Sequence, residues 1–136
     1  MERLQMDKTP ATSGSWKTNA MPQEKKLFEL ELVLSAEEFQ QVQLGHMPEE
    51  MEDKWFIYFE DGWLNLHRSW TGNCIYRLRF ERYGDAYRVV EAWVNRSLTE
   101  YKFTDDEHDR QLVTFLIGRL LLRENSSPPR GGETQA

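Results

Sequence analysis

A chain of 136 residues with a formal net charge of −6 has the length of one domain. Its balance is too acidic for general nucleic-acid binding, which needs a basic field to displace counterions. The charge is uneven, −6 over residues 1–53, +2 over 54–102 and −2 over 103–136, so an anion site belongs to the middle of the chain.

Residues 1–25 are polar, rich in Thr, Ser, Pro and Lys, and without period. They read as a disordered arm, and an apolar signal-peptide core is missing from them. Residues 26–124 read as a single domain, and residues 125–136 as a disordered tail. Phe28, Leu30, Leu32 and Leu34 alternate with Glu29, Glu31 and Val33, the period of a strand with one buried face. Ser35 to Glu38 form a capping box that starts a short helix, with Phe39 and Val42 inward and Gly45 at its end. The acidic loop His46 to Asp53 follows and reads as a solvated guard for the next strand.

Lys54 to Glu60 is strand by aromatic and β-branched content. Asp61-Gly62 is a type I′ hairpin signal, and Trp63 to Arg68 is the return strand. That turn fixes the pairs. Glu60 faces Trp63, Tyr58 faces Asn65 and Phe56 faces His67 on one side. Phe59 faces Leu64, Ile57 faces Leu66 and Trp55 lies near Arg68 on the other. Cys74 to Arg82 makes a third strand, with Cys74, Tyr76, Leu78 and Phe80 on one face and Ile75, Arg77, Arg79 and Glu81 on the other. Tyr87 to Arg96 makes a fourth, with Val90, Ala92 and Val94 opposite Val89, Glu91 and Trp93. Two registers stay open at residues 69–73: a four-residue turn puts His67 opposite Cys74, and one bulge changes it. Thr104 to Glu107 reads as a second capping box. It precedes a helix with Leu112, Val113, Leu116, Ile117, Leu120 and Leu121 in one stripe. Each such side chain contributes about 1.5–3 kcal/mol when buried. The longest apolar run, Leu112 to Leu122, is too short to span a bilayer.

The expected fold is α+β: an antiparallel sheet of about 4–5 strands, with the C-terminal amphipathic helix and one short helix packed on one face. The other face then carries Phe56, Tyr58, Trp63, His67, Arg77, Arg79, Glu91 and Trp93, more aromatic than contact with water requires. Arg77 and Arg79, two apart on a strand, can fork onto a phosphate or carboxylate beside Trp and Tyr rings. The candidate ligand-binding residues are therefore Tyr58, Trp63, His67, Arg68, Arg77, Arg79 and Trp93. The bland alternative is a solvated face with cross-strand Arg–Glu pairs. Catalysis has no recognisable spacing behind it. His67, Ser69 and Cys74 are close in sequence but lack an orienting acid and oxyanion donors, and a buried Cys74 acts as a small hydrophobe. No cofactor and no metal set is indicated, since His46, His67 and His108 fall in three different elements. The lone cysteine cannot form an internal disulfide and fits a cytoplasmic protein.

The run MEDKWFIYFEDGWLNLHRSWTGNCIYRLRF, Met51 to Phe80, with its Glu-Asp-Gly-Trp and His-Arg-Ser-Trp-Thr-Gly pieces, resembles a family of small uncharacterised bacterial domains that occur beside ADP-ribose-handling enzymes. The resemblance implies a nucleotide or ADP-ribose ligand for the Arg77, Arg79 and Trp93 face, and it brings no catalytic residue. The reading is a binding or accessory module without catalysis, taking a protein partner (or a second copy) or an anionic small molecule, and neither nucleic acid nor membrane. The alternatives are a nucleotide- or ADP-ribose-linked protein that binds or processes a small molecule, and a small enzyme using His67 and Cys74.

Overall fold

The alternation from Phe28 to Leu34, expected as one strand, is strand only at its end, and another short strand precedes it. The computed structural model describes residues 9–123, which leaves the tail read over 125–136 outside the described residues. β1 (Lys25–Leu27) and β2 (Val33–Ser35) both run antiparallel along one edge of a long strand, β6 (Ala86–Asn95). Between them the ladder is interrupted, although Phe28 N–H still donates to Ala92 O and Val89 N–H to Leu32 O. Phe28, Leu30 and Leu34 are buried, as the period requires.

Helix α1 (Ala36–Val42) starts with both capping-box bonds made: Glu38 N–H to Ser35 Oγ at 3.1 Å and Ser35 N–H to Glu38 Oε1 at 2.9 Å. Hairpin β3 (Trp55–Glu60) and β4 (Trp63–Arg68) has all six of the pairs that a two-residue turn dictates. Asp61 at φ 55° and Gly62 at φ 86° give the positive φ values of a type I′ turn.

β5 (Cys74–Tyr83) departs from simple alternation, and so does β6. His67 pairs with Cys74 but Leu66 pairs with Tyr76, so Ile75 is an extra residue in β5. Ile75 consequently enters the core, and Cys74 turns to the His67 side, reversing the faces expected for both. A second irregularity pairs Arg79 with Glu91 and Phe80 with Val89, making Val90 the extra residue. Val89 joins the face of Ala92 and Val94, opposite to the expected placement. Each bulge shifts the two-residue period by one, which a reading without partner strands cannot register.

The result is α+β: a six-stranded antiparallel sheet in the order β1-β6-β5-β4-β3, with β2 also on β6, and two helices. Helix α2 (Asp106–Leu116) runs on into a π-helical turn, Ile117–Leu121. Its cap is Asp105, which accepts from Glu107 N–H at 3.0 Å, rather than a capping box from Thr104. Leu112, Val113, Leu116, Ile117 and Leu121 share one buried cluster with Ile57, Leu64, Leu66, Leu78 and Val94. Phe39 adds α1 to it, stacking on Tyr87 at 4.1 Å and meeting Phe59 edge-on at 5.3 Å. Thr99 to Phe103 is loop, with Tyr101 buried. Among the described residues no helix is long and apolar enough to cross a membrane.

Candidate functional site

The N-terminal segment bears directly on the second face of the sheet. Of the arm expected over residues 1–25, the described part starts at Thr9 and lies against the domain. Ala11 is buried and its N–H donates to Leu44 O. The Trp16 indole N–H donates to Ser69 O at 2.8 Å, and its ring meets Phe56 at 6.4 Å. Asn19 binds the loop after β4 three times: its N–H goes to Gly72 O, and its Nδ2 donates to Thr71 O and to Asn73 Oδ1. Gly72, at φ 83°, is where a side chain would strain the backbone and crowd the segment. A Cβ there would sit 3.2 Å from Lys17 O. Phe56, expected on an open face, is fully buried.

Beside this segment lies a cleft of about 570 Å³. Tyr58 from β3, Trp63, Asn65 and His67 from β4, and Cys74 and Arg77 from β5 form its sheet side. Thr18 to Met21 form another wall, and Glu60 and Asp61 stand at the hairpin end. Arg77 is held rigidly. Its guanidinium lies 4.3 Å from the Trp63 ring centroid, and its Nε donates to Asn65 Oδ1 at 2.8 Å. Asn65 is itself oriented by donating to Trp63 O at 3.2 Å. Arg77 has no carboxylate partner among the described residues. The terminal nitrogens of its fork are thus available to an acceptor.

His67 is buried on the cleft floor, stacked on Tyr58 at 5.6 Å and tilted to Phe56 at 6.2 Å. Its Nδ1 contacts Gly72 O at 2.9 Å. Burial first, and the positive Arg77 second, hold its pKa below the ordinary histidine value, against the pull of the Gly72 carbonyl. Burial raises the Tyr58 phenol, so it stays a neutral donor. The Cys74 thiol is pushed up to about 12 by burial and donates weakly to Tyr76 O at 3.7 Å.

Four of the seven expected site residues therefore converge: Tyr58, Trp63, His67 and Arg77. The other three do not line the cleft, although Trp93 pairs with Arg77 and Arg79 with Trp63 across neighbouring strands. Arg79 bridges Glu81 at 2.8 Å and Glu91 at 3.1 Å, so it is already paired and makes no fork with Arg77. Trp93 donates to Glu91 Oε2 at 2.7 Å and lies under Lys25, 4.7 Å away. Arg68 stacks at 5.2 Å over Trp55, a core residue, and burial lowers its pKa. Asn65 and the segment Thr18 to Met21 line the cleft without a motif that marks them, and Cys74, a candidate only in the enzyme alternative, lines it too. For the segment there was one sequence signal, a tryptophan at position 16 inside an otherwise polar arm. Among the described residues no cluster of three or more His, Cys, Asp or Glu is arranged to hold a metal ion.

Searches of protein-family models, of curated proteins and of solved structures return no match to this chain.

Proposed function

We propose that this chain is a cytoplasmic binding module, without catalysis of its own, whose cleft takes a small anionic ligand with a flat ring. The observation that carries the reading is Arg77: clamped between Trp63 and Asn65, facing the cleft, and without a carboxylate partner among the described residues. In this reading both helices cover the opposite face, which leaves the Arg77 side to the ligand. Tyr58 and Trp63 supply aromatic surface for the ring, and Arg77 supplies charge-assisted donors. The Cys74 thiol, held protonated, supports a site that binds rather than attacks. The family resemblance adds nucleotides and ADP-ribose as the first ligands to try. A thermal-shift screen with nucleotides and ADP-ribose at millimolar concentration tests the proposal. A rise in Tm that disappears in Arg77→Gln supports it, and no shift with any of them rules it out.

A protein partner is the second reading, and one patch favours it. Trp70 and Met51 are exposed at 60% and 74%, and they share a groove with Trp16, Glu49 and Glu50. Glu49 and Glu50, on a different stretch of the groove wall from Lys17, suit a segment that places Lys or Arg between apolar anchors. On this reading a Leu/Lys-alternating peptide binds and Trp70→Ala removes the binding. Equal binding of a Leu/Glu peptide would exclude it.

A further inference from the structure

We infer that the ligand of the cleft carries, besides its anionic group, an N–H or O–H donor, and that His67 Nε2 is the acceptor that selects it. The inference rests on reading the cleft as an anion site. A carbonyl oxygen can only accept, so the contact between His67 Nδ1 and Gly72 O places the proton on Nδ1. In the neutral ring Nε2 is then a lone-pair acceptor. No group among the described residues donates to it, although the side chain is 3% exposed and lines the cleft. Unlike Trp55 Nε1 and His108 Nε2, which are buried without a partner, His67 Nε2 keeps access to the cleft, so a donor of a bound ligand can reach it and take the place of water. The ring cannot turn to find another partner without giving up Gly72 and its stacking on Tyr58.

The rest of the cleft limits the ligand further. Arg77 stands opposite Asn65, and Asn65 is two residues from His67 along β4, a step of about 6–7 Å. A para-substituted six-membered ring can reach from one to the other. The ligand class is therefore a flat anionic molecule with a donor at the far end of its ring.

This arrangement has a pH signature that a bare anion site lacks. The groups facing His67 are Phe56 and Tyr58 on β3, Cys74 and Arg77 on β5, and Thr18 and Asn19 on the N-terminal segment, with the carboxylates of Glu60 and Asp61 farther along the cleft. Arg77 is the one formal charge close by, and with burial it keeps the ring neutral at neutral pH. Once protonated, Nε2 would donate instead of accept. A donor ligand then loses its partner, while a bare anion gains a second cation.

The probes are 4-aminobenzoate and benzoate, titrated into the full-length 15N-labelled chain and followed by amide shifts. At about pH 7.5, where the ring is neutral, 4-aminobenzoate should bind about fivefold tighter than benzoate, the gain from one neutral hydrogen bond. The advantage should vanish in His67→Phe, persist in part in His67→Gln, and shrink as the pH is lowered through the folded pKa of His67 while benzoate tightens. Arg77→Gln should abolish binding of both. Equal affinities that still depend on Arg77 would overturn the donor inference and leave the anion site standing. Binding of neither probe, or binding indifferent to Arg77, would overturn both.

Discussion

Asp109 and Arg77 both lie among aromatic rings of β5 and its neighbours, yet their surroundings are opposite in kind. Asp109 is fully buried and closed. It accepts from the Tyr76 hydroxyl at 2.8 Å, the Tyr101 hydroxyl at 2.7 Å and the Arg96 guanidinium at 2.6 Å. The two hydroxyls also meet each other at 2.8 Å, and Arg96 reaches Asp106. Burial raises both phenols, with the Asp109 charge next for Tyr101 and the neighbouring Tyr101 and then Asp109 next for Tyr76, so both stay donors. Every strong group in that cluster has a partner, so it binds helix α2 to the sheet and leaves no capacity for anything else. Arg77 and His67 are oriented with equal care, by Asn65, Trp63 and Gly72, but each keeps an unmatched end facing a cleft. The first is a structural joint, and the second is where the proposed ligand would bind.

The contrast can be broken at several points. The largest effect should come from Asp109→Ala, which leaves Arg96 and two hydroxyls without their buried acceptor. A loss of about 3–5 kcal/mol is expected in urea denaturation. A loss under 1 kcal/mol would show that water replaces the carboxylate easily. Gly72→Ala comes next. It strains a positive φ and presses a methyl toward Lys17 O, costing about 1–2 kcal/mol. Because the same step displaces the segment that walls the cleft, Trp16 fluorescence should change with it.

His67 sets a smaller, pH-dependent effect. Its folded pKa lies below the ordinary value of about 6.5, so the unfolded chain binds the proton more readily. Its contribution to stability is complete above that value and is lost as pH falls through the folded pKa. His67→Phe should flatten the fall in Tm over that window, and an unchanged slope would assign it to other groups. Smallest of all, Arg77→Gln should leave Tm within a degree or two while removing ligand-induced stabilisation. Arg79→Gln, whose partners are Glu81 and Glu91, should leave that stabilisation intact. Loss of ligand response in Arg79→Gln would restore the two-arginine fork expected from spacing.

How much was legible follows from the range of each determinant. The Asp61-Gly62 turn specified the whole β3–β4 register, because a two-residue I′ loop admits only one set of cross-strand pairs. Ser35 and Glu38 announced their own capping box within four residues. The stripe from Leu112 to Leu121 announced a buried helix face by its period. Tyr58, Trp63 and His67 were recognisable as one face from the Asp61-Gly62 turn, whereas Arg77 joined them only if the next hairpin shared the same core face. The N-cap at Asp105 and the burial of Asp109 were not recognisable: the four acids between residues 105 and 109 look alike until Tyr76, Tyr101 and Arg96 choose Asp109.

Local steric preference and side-chain period are written into neighbouring residues, so turns, caps, strand identity and the aromatic-basic face belong to the sequence. The bulges at Ile75 and Val90, the turn of Cys74 toward His67 and the pairing of Arg79 away from Arg77 were settled by partner strands. The wall of the cleft depended on contacts farther apart still. Trp16 meets Ser69 across 53 residues, and Asn19 meets Asn73 across 54. Such contacts form only where a packed surface already offers the right carbonyl at the right distance, and no pattern within a single segment encodes that.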